Sequence, residues 1–450
     1  LGAIAEKQGH QVEIIDAEIA KMSKATLVDT VMDRGADLIG LTGMSPFFHL
    51  SKDVASLLKE KGEKARICIG GQHVTILEEK VFDEVFDYGF IGDGEESWSK
   101  FLNAISENKS LDTVPGLMYR SNGKVMKNEK ASSDKDLDIY PRPAYHLLDM
   151  GKYILGTLKG RLNFTTVETI RGCPWKCIFC ASDELGTTTI TKRSIKSVVD
   201  QIESVVNLYG VRHFMIIDDV LTLHRSRTVE LCNEIIDRKL NITFEGSTRA
   251  NLLDDELVSL MKKAGLLRLS FGLETVDEDM RKTMNKKVPL DAYREANAML
   301  NKHDIEALNS VMIGLPGESI ENVRKTLDFL RKAKDVKQAN FAIAVPYPGT
   351  EFYKMAVNGE NGMKLITEDF SEYRRYGSAV TSVNGLTPDD LIRLQNEGFV
   401  SVYSRYWRWW PVVRKNGILG LLITVYRLFK MMAAKITARL VVFDRHPSLE

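Results

Sequence analysis

The stretch Thr166-Val167-Glu168-Thr169-Ile170-Arg171-Gly172-Cys173-Pro174-Trp175-Lys176-Cys177-Ile178-Phe179-Cys180 decides how the chain is read. Its first five residues, three of them threonine or valine before Ile170, read as a strand, and a C-x3-C-x2-C loop follows at once. Three thiolates on one loop can hold three irons of a [4Fe–4S] cluster and leave the fourth iron without a protein ligand. Two plainer readings stand beside it. A structural zinc site takes four ligands, usually in two pairs, yet Cys68 and Cys232 stand alone and no second C-x2-C exists. Three unligated thiols grouped by coincidence is the other.

Working outward, strands are expected at Thr166 to Ile170, His213 to Ile217, Thr243 to Ser247, Leu267 to Phe271, Ser310 to Ile313 and Phe341 to Val345. Helical runs separate them, such as Asp254 to Lys263 with Asp254 as N-cap and Gly265 just past the end. Six strand–helix repeats predict a partial (β/α) barrel over residues 161–366, with its chemistry at the C-terminal strand ends. Upstream, strands at Val12 to Ile15, Leu38 to Leu41, Arg66 to Ile69 and Tyr88 to Ile91 alternate with helices, including a short one near Glu78 to Val85. That alternation predicts a Rossmann-like doubly wound domain over residues 1–112, its first strand missing because the chain starts inside a helix. Asn122-Gly123 marks a hairpin within a connector over residues 113–160. After about Thr367 the pattern loses its strands, which predicts a helical extension over residues 367–450.

The cysteine loop resembles the signature of the radical SAM superfamily, C-x3-C-x-Φ-C, with Phe179 as the aromatic residue. The resemblance implies that Cys173, Cys177 and Cys180 ligate a [4Fe–4S] cluster. Its open iron would chelate S-adenosylmethionine (SAM), and one electron from a donor such as flavodoxin or ferredoxin would yield a 5′-deoxyadenosyl radical. It implies further that Arg249 pairs with the SAM carboxylate, that Glu274 holds the ribose, and that backbone at Ile313 and Gly314, in Met312 to Glu318, approaches adenine. Asp218-Asp219 stands where the family has Gly-Gly-Glu, and Pro346-Tyr347-Pro348-Gly349-Thr350 also recurs in the relevant subfamily.

That subfamily is the cobalamin-binding class B radical SAM enzymes, which Gly9 to Asp16, Ile69-Gly70-Gly71-Gln72-His73-Val74 and Ile91-Gly92-Asp93-Gly94-Glu95-Glu96 resemble. It includes methyltransferases and anaerobic magnesium-protoporphyrin ester cyclases. By that resemblance Ser45, Gly70, Gly71, Gly92, Gly94 and Glu95 are candidates for holding cobalamin at the strand ends. The D-x-H-x-x-G motif is absent, so cobalamin would lack that histidine lower ligand. The implied activity is hydrogen abstraction followed by methyl transfer to an unactivated centre. The alternative is a radical cyclisation or rearrangement, and a reading of another class is an iron–sulfur or membrane-associated scaffold without turnover.

Composition sets the outer limits. At 450 residues, 44% apolar and 27% charged, the chain is long enough for two to four domains, and disorder and collagen-like repeats are excluded. Five cysteines cannot form a disulfide scaffold, and their clustering suits a reducing, cytoplasmic setting. With no initial methionine, the sequence reads as a piece whose first residues are missing. Sixty-one basic and 61 acidic residues give zero net charge, which argues against a protein that coats nucleic acid. Residues 403–445, however, carry nine Lys or Arg against one acid, a net +8 that leaves −8 elsewhere. With Trp407, Trp409 and Trp410 and a basic face of Arg427, Lys430, Lys435 and Arg439, this tail suits a membrane surface, a lipophilic small-molecule substrate or plain core packing. Its longest uncharged run, Gly417 to Tyr426, is too short to span a bilayer.

Overall fold

A computed structural model of the chain describes residues 1–130, 136–157, 160–186, 188–408 and 422. Two sheets organise it. The first runs β1 (Leu38–Thr42), β2 (Arg66–Gly70), β3 (Tyr88–Phe90), β4 (Leu117–Ser121) and β5 (Lys124–Lys127), in that spatial order. β1 to β3 are parallel, and the central β2 buries Ile67, Cys68 and Ile69 in succession, because helices cover both of its faces. β4 and β5 pair antiparallel around Asn122 and Gly123, both at positive φ. The hairpin thus completes the N-terminal sheet instead of starting a connector, since Tyr88 to Phe90 offers it an edge.

The second sheet contains β6 (Ile154–Thr157) and β7 (Gly160–Val167). A two-residue pair, β8 (Ile170–Arg171) with β9 (Thr191–Lys192), brackets the cysteine loop. Then come β10 (His213–Ile216), β11 (Thr243–Ser247), β12 (Leu266–Glu274), β13 (Glu306–Ile313) and β14 (Gln338–Ile343), in the order β14-β13-β12-β11-β10-β7-β6. Six of these strands are parallel and β14 is an edge, so the barrel is open. Burial alternates along β13 and β14. Asn309 and Ala339 face the packed helices, while Ser310, Met312, Asn340 and Ala342 face the barrel interior. One continuous apolar cluster joins this sheet to its helices, and the first sheet has its own.

Local chemistry sets the helix ends. Asp254 caps the helix Asp255–Ala264 by accepting from Leu257 N, and Gly265 closes it at φ 111°. Capping boxes open Ile320–Lys332 (Ser319 with Asn322) and Pro388–Tyr403 (Thr387 with Asp390).

Four expectations are corrected. Val12 to Ile15 forms no strand: Val12 packs against the sheet, but no ladder hydrogen bonds join the segment to β1. The short helix expected near Glu78 to Val85 is present only as a 3₁₀ turn, Glu78–Val81, set off by the φ 52° of Glu78 from an α-helix, Gln72–Leu77, that precedes it. The first barrel strand ends at Val167 because Asp218 takes the next backbone donors, Thr169 N at 2.7 Å and Ile170 N at 3.1 Å. After Thr367 one strand does form, β16 (Thr381–Val383), antiparallel to β15 (Met363–Leu365). Most of the basic tail lies outside the described residues. Its Arg408 is no solvated cation: it is buried and donates to the carbonyls of Leu330, Ala333 and Val402, at the ends of two helices, and of Val336 in the loop before β14.

Candidate active site between the two sheets

A cavity of about 1010 Å³ lies between the C-terminal ends of both sheets. That is at the top of the range for a single small ligand, roughly 300–1,000 Å³. Cys173, Cys177 and Cys180 line it from one side, with Asp219, Arg249, Glu274 and Lys286. Ser45, Gly71 and Gly92 line it from the other.

The cysteine loop has little helix or strand of its own, so its shape comes from distant partners. Ile178 N donates to Met284 O at 3.3 Å, Asn285 Nδ2 to Lys176 O at 2.7 Å, and Phe352 N to Ile178 O at 3.0 Å. All three thiols are half-buried, and burial raises the pKa of Cys173 and Cys177, with Lys286 and Arg249 pulling Cys177 back down. No three His, Cys, Asp or Glu among the described residues are grouped to share one metal ion. Cysteines that each bind a different iron need no such convergence, and an all-thiol donor set fits an iron–sulfur cluster.

Arg249 is buried with its guanidinium 4.1 Å from the Trp175 ring, and its Nε has no hydrogen-bond partner among the described residues. The residue lines the cavity and has no ion pair with an acid among the described residues, which fits an incoming anion such as a carboxylate. Glu274 is buried at φ 58° and ion-paired with Lys286 at 3.1 Å. Lys286 has no place in the sequence reading, for it lies on an irregular loop between helices and only the fold turns it inward. Ile313 and Gly314 fall outside the cavity, which takes Ser310, Val311 and Met312 from that strand. The turn after them is held from within: Glu318 is fully buried and accepts from Gly314 N at 2.7 Å and Leu315 N at 3.1 Å, and burial pushes its pKa up to about 7. Asp218 is similarly occupied with Thr169 and Ile170, whereas Asp219 lines the cavity with its pKa raised by burial.

On the opposite wall Gly92, at φ 96°, meets nothing within 4 Å where a side chain would stand, so a flat ligand can approach its backbone. Gly71 has another reason to be glycine: a Cβ there would lie 2.7 Å from Gly43 O. Ser45 lines the cavity while sharing a hydrogen bond with His73 Nδ1 at 2.9 Å. His73 is sealed between Phe48 and Phe370, and burial lowers its pKa to about 4. Gly70, Gly94 and Glu95 do not line the cavity. Glu95 instead binds Arg171 across the domain boundary, and Gly349 fits between Ile76 of the first domain and Glu184 of the cysteine loop.

Comparison with known proteins agrees with this division. Residues 1–102 match the B12 binding domain and residues 167–330 the radical SAM superfamily. The chain is 27% identical over 401 residues to an uncharacterized methyltransferase of Pyrococcus horikoshii, covering 89% of this chain and 85% of that one. It is 26% identical over 370 residues to the anaerobic magnesium-protoporphyrin IX monomethyl ester cyclase of Rubrivivax gelatinosus, covering 80% of this chain but only 65% of the cyclase. Its fold is similar to that of the radical S-adenosylmethionine methyltransferase TsrM from Kitasatospora setae, solved with cobalamin and a [4Fe-4S] cluster (TM-score 0.71, 18% identity, 90% of this chain and 85% of that one). The chain thus carries a B12-binding domain and a radical SAM domain that face one shared cavity, the domain pairing of the cobalamin-dependent radical SAM proteins it is similar to.

Proposed function

We propose that the protein is a cobalamin-dependent radical SAM methyltransferase acting on a small molecule. The observation that carries this reading is the single cavity lined by the three thiols on one wall and by Ser45, Gly71 and Gly92 on the other. When bound, the cluster and SAM supply one-electron cleavage to a hydrogen-abstracting radical, and cobalamin supplies a methyl group.

The chain's own residues bind, orient and exclude water. Cys173, Cys177 and Cys180 hold the cluster, and the docking of their loop on Met284, Asn285 and Phe352 fixes its position. Arg249 would meet the SAM carboxylate, and Glu274, steadied by Lys286, would receive the ribose hydroxyls. Gly92 and Ser45 seat the corrin side, and Gly71 lets the β2 turn close on Gly43. Glu318 and Asp218, which burial pushes up to about 7 and about 6, are spent on backbone amides and do not line the cavity, whereas Asp219 does line it.

A one-electron donor of the flavodoxin or ferredoxin type serves as reductant. The nine Lys or Arg against one acid in residues 403–445 suit an anionic membrane by composition, though no helix among the described residues is long and apolar enough to cross one.

The test is anaerobic reconstitution with iron, sulfide and hydroxocobalamin, then reduction in the presence of SAM carrying a labelled methyl group. The reading expects 5′-deoxyadenosine together with label on cobalamin and S-adenosylhomocysteine. Production of 5′-deoxyadenosine with bound cobalamin that never takes label favours cyclisation or rearrangement. A protein that holds cluster but cleaves no SAM is a scaffold.

A further inference from the structure

Asn285 lies 109 positions beyond Lys176, yet its side chain bonds that residue's carbonyl, and its own carbonyl lies 4.0 Å from Cys177 Sγ. Asn285 makes the turn at φ 54°, a conformation asparagine tolerates, and the following residue, Lys286, points inward. The Lys286 ammonium is 3.1 Å from Glu274 and 5.9 Å from the centre of the Phe179 ring, between the second and third cysteines. Both partners are about nine-tenths buried, with side chains 10% and 8% exposed. Room for them comes from Gly272, where a Cβ would lie 2.0 Å from Glu274 Oε1 and 2.8 Å from Lys286 Nζ. The floor of the site has given up a side chain to admit one ion pair beside the cysteine loop.

We propose that Lys286 is a positioning residue for the iron–sulfur cluster: its buried ammonium raises the cluster's reduction potential, and Glu274 sets how much of that charge the cluster feels. The proposal rests on the cluster assignment above. Reduction adds one negative charge to the cluster, and a cation held in a site shielded from water stabilises that charge far more than an exposed one. Burial disfavours the ammonium, and the Glu274 carboxylate 3.1 Å away offsets that cost. Arg249, stacked on Trp175, is a second cation at the loop, with no acid partner among the described residues. Only the charge of Lys286 can be changed from either end of its pair.

The experiment is a redox titration of the reconstituted cluster, followed by electron paramagnetic resonance without SAM, so turnover plays no part. Lys286→Gln is expected to shift the midpoint potential down, Glu274→Gln to shift it up, and Lys286→Arg to leave it near wild type. A merely structural pair would move the first two in the same direction, and that result, or unchanged potentials in both, overturns the proposal. Because Lys286→Gln leaves a buried carboxylate alone and risks the fold, the Lys286→Gln/Glu274→Gln double variant is measured too. Its potential should return towards wild type, and a shift as large as a single variant's counts against the proposal. A wild-type chain that holds no cluster removes the assignment and this proposal together; loaded variants with unchanged potentials remove this proposal alone.

Discussion

Arg171, in the barrel half, donates to Glu95 of the N-terminal half at 2.9 Å, and each side chain is 21% exposed. Arg171 also reaches Glu168 at 2.9 Å and Asp93 at 3.4 Å. Burial opposes its charge, yet the bonds to Glu168 and Glu95 more than offset that and raise its pKa. Glu95 opens the helix Glu95–Ser106, where an acid also favours the positive end of the helix dipole. The pair ties the B12-binding domain to the strand end that launches the cysteine loop.

Arg171→Ala should therefore loosen the two domains without unfolding either. The expected loss is about 2 kcal/mol, the low end for truncating one partner of a buried, hydrogen-bonded charge pair. Urea denaturation followed at the two domains should separate into two transitions, and a single unshifted transition would show that the pair does not couple them.

Replacing Cys173, Cys177 or Cys180 by alanine should abolish bound iron and sulfide after reconstitution. Cys68→Ala and Cys232→Ala, which alter buried thiols packed in the two domain cores, should keep the wild-type content. Metal analysis of the five variants decides between a three-cysteine site and one that recruits another thiol.

Gly272→Ala places a methyl group on the Glu274 carboxylate and displaces its pair with Lys286. SAM affinity, read by equilibrium dialysis, should fall at least about tenfold, the equivalent of 1.4 kcal/mol. Cobalamin binding on the opposite wall should not change. Equal loss of both ligands would point to collapse of the whole cavity.

Glu318 titrates near 7 in the folded chain against 4.5 as an ordinary glutamate, because it is fully buried. A raised folded pKa means that its stabilising contribution is complete below about 4.5 and is lost as pH rises through 7. Glu318→Gln keeps an oxygen for Gly314 N and Leu315 N but cannot ionise. Denaturant midpoints at pH 5 and pH 8 should show a drop in wild type that shrinks in the variant, by roughly 3 kcal/mol at most.

Much of the architecture was legible because its signals are local. Asp254 with Gly265 and Asn122 with Gly123 act over a few bonds, and the strands of the barrel could be placed from their apolar runs. Errors arose where a distant group claimed the backbone. Asp218, some 50 positions on, ends the first barrel strand at Val167, and no pattern within Thr166 to Ile170 announces it. Among the cobalamin candidates, glycine identity could not say which glycine faces a ligand and which faces its own chain. Gly92 and Gly71 line the cavity, Gly71 while also backing onto Gly43, whereas Gly70 and Gly94 do not line it and Glu95 is committed to Arg171.

The sequence by itself determined the chemistry on offer: three thiols in C-x3-C-x2-C after a strand, preceded by one α/β pattern and followed by another. That information is carried by covalent spacing, which folding does not alter. Only the tertiary structure decided which groups meet those thiols. Strand register puts Ser310 and Met312 inside the barrel and Ile313 outside it, and the closure of an irregular loop brings Lys286 to Glu274 across the gap left by Gly272. Such meetings depend on burial and on long-range packing, which no short window of sequence contains.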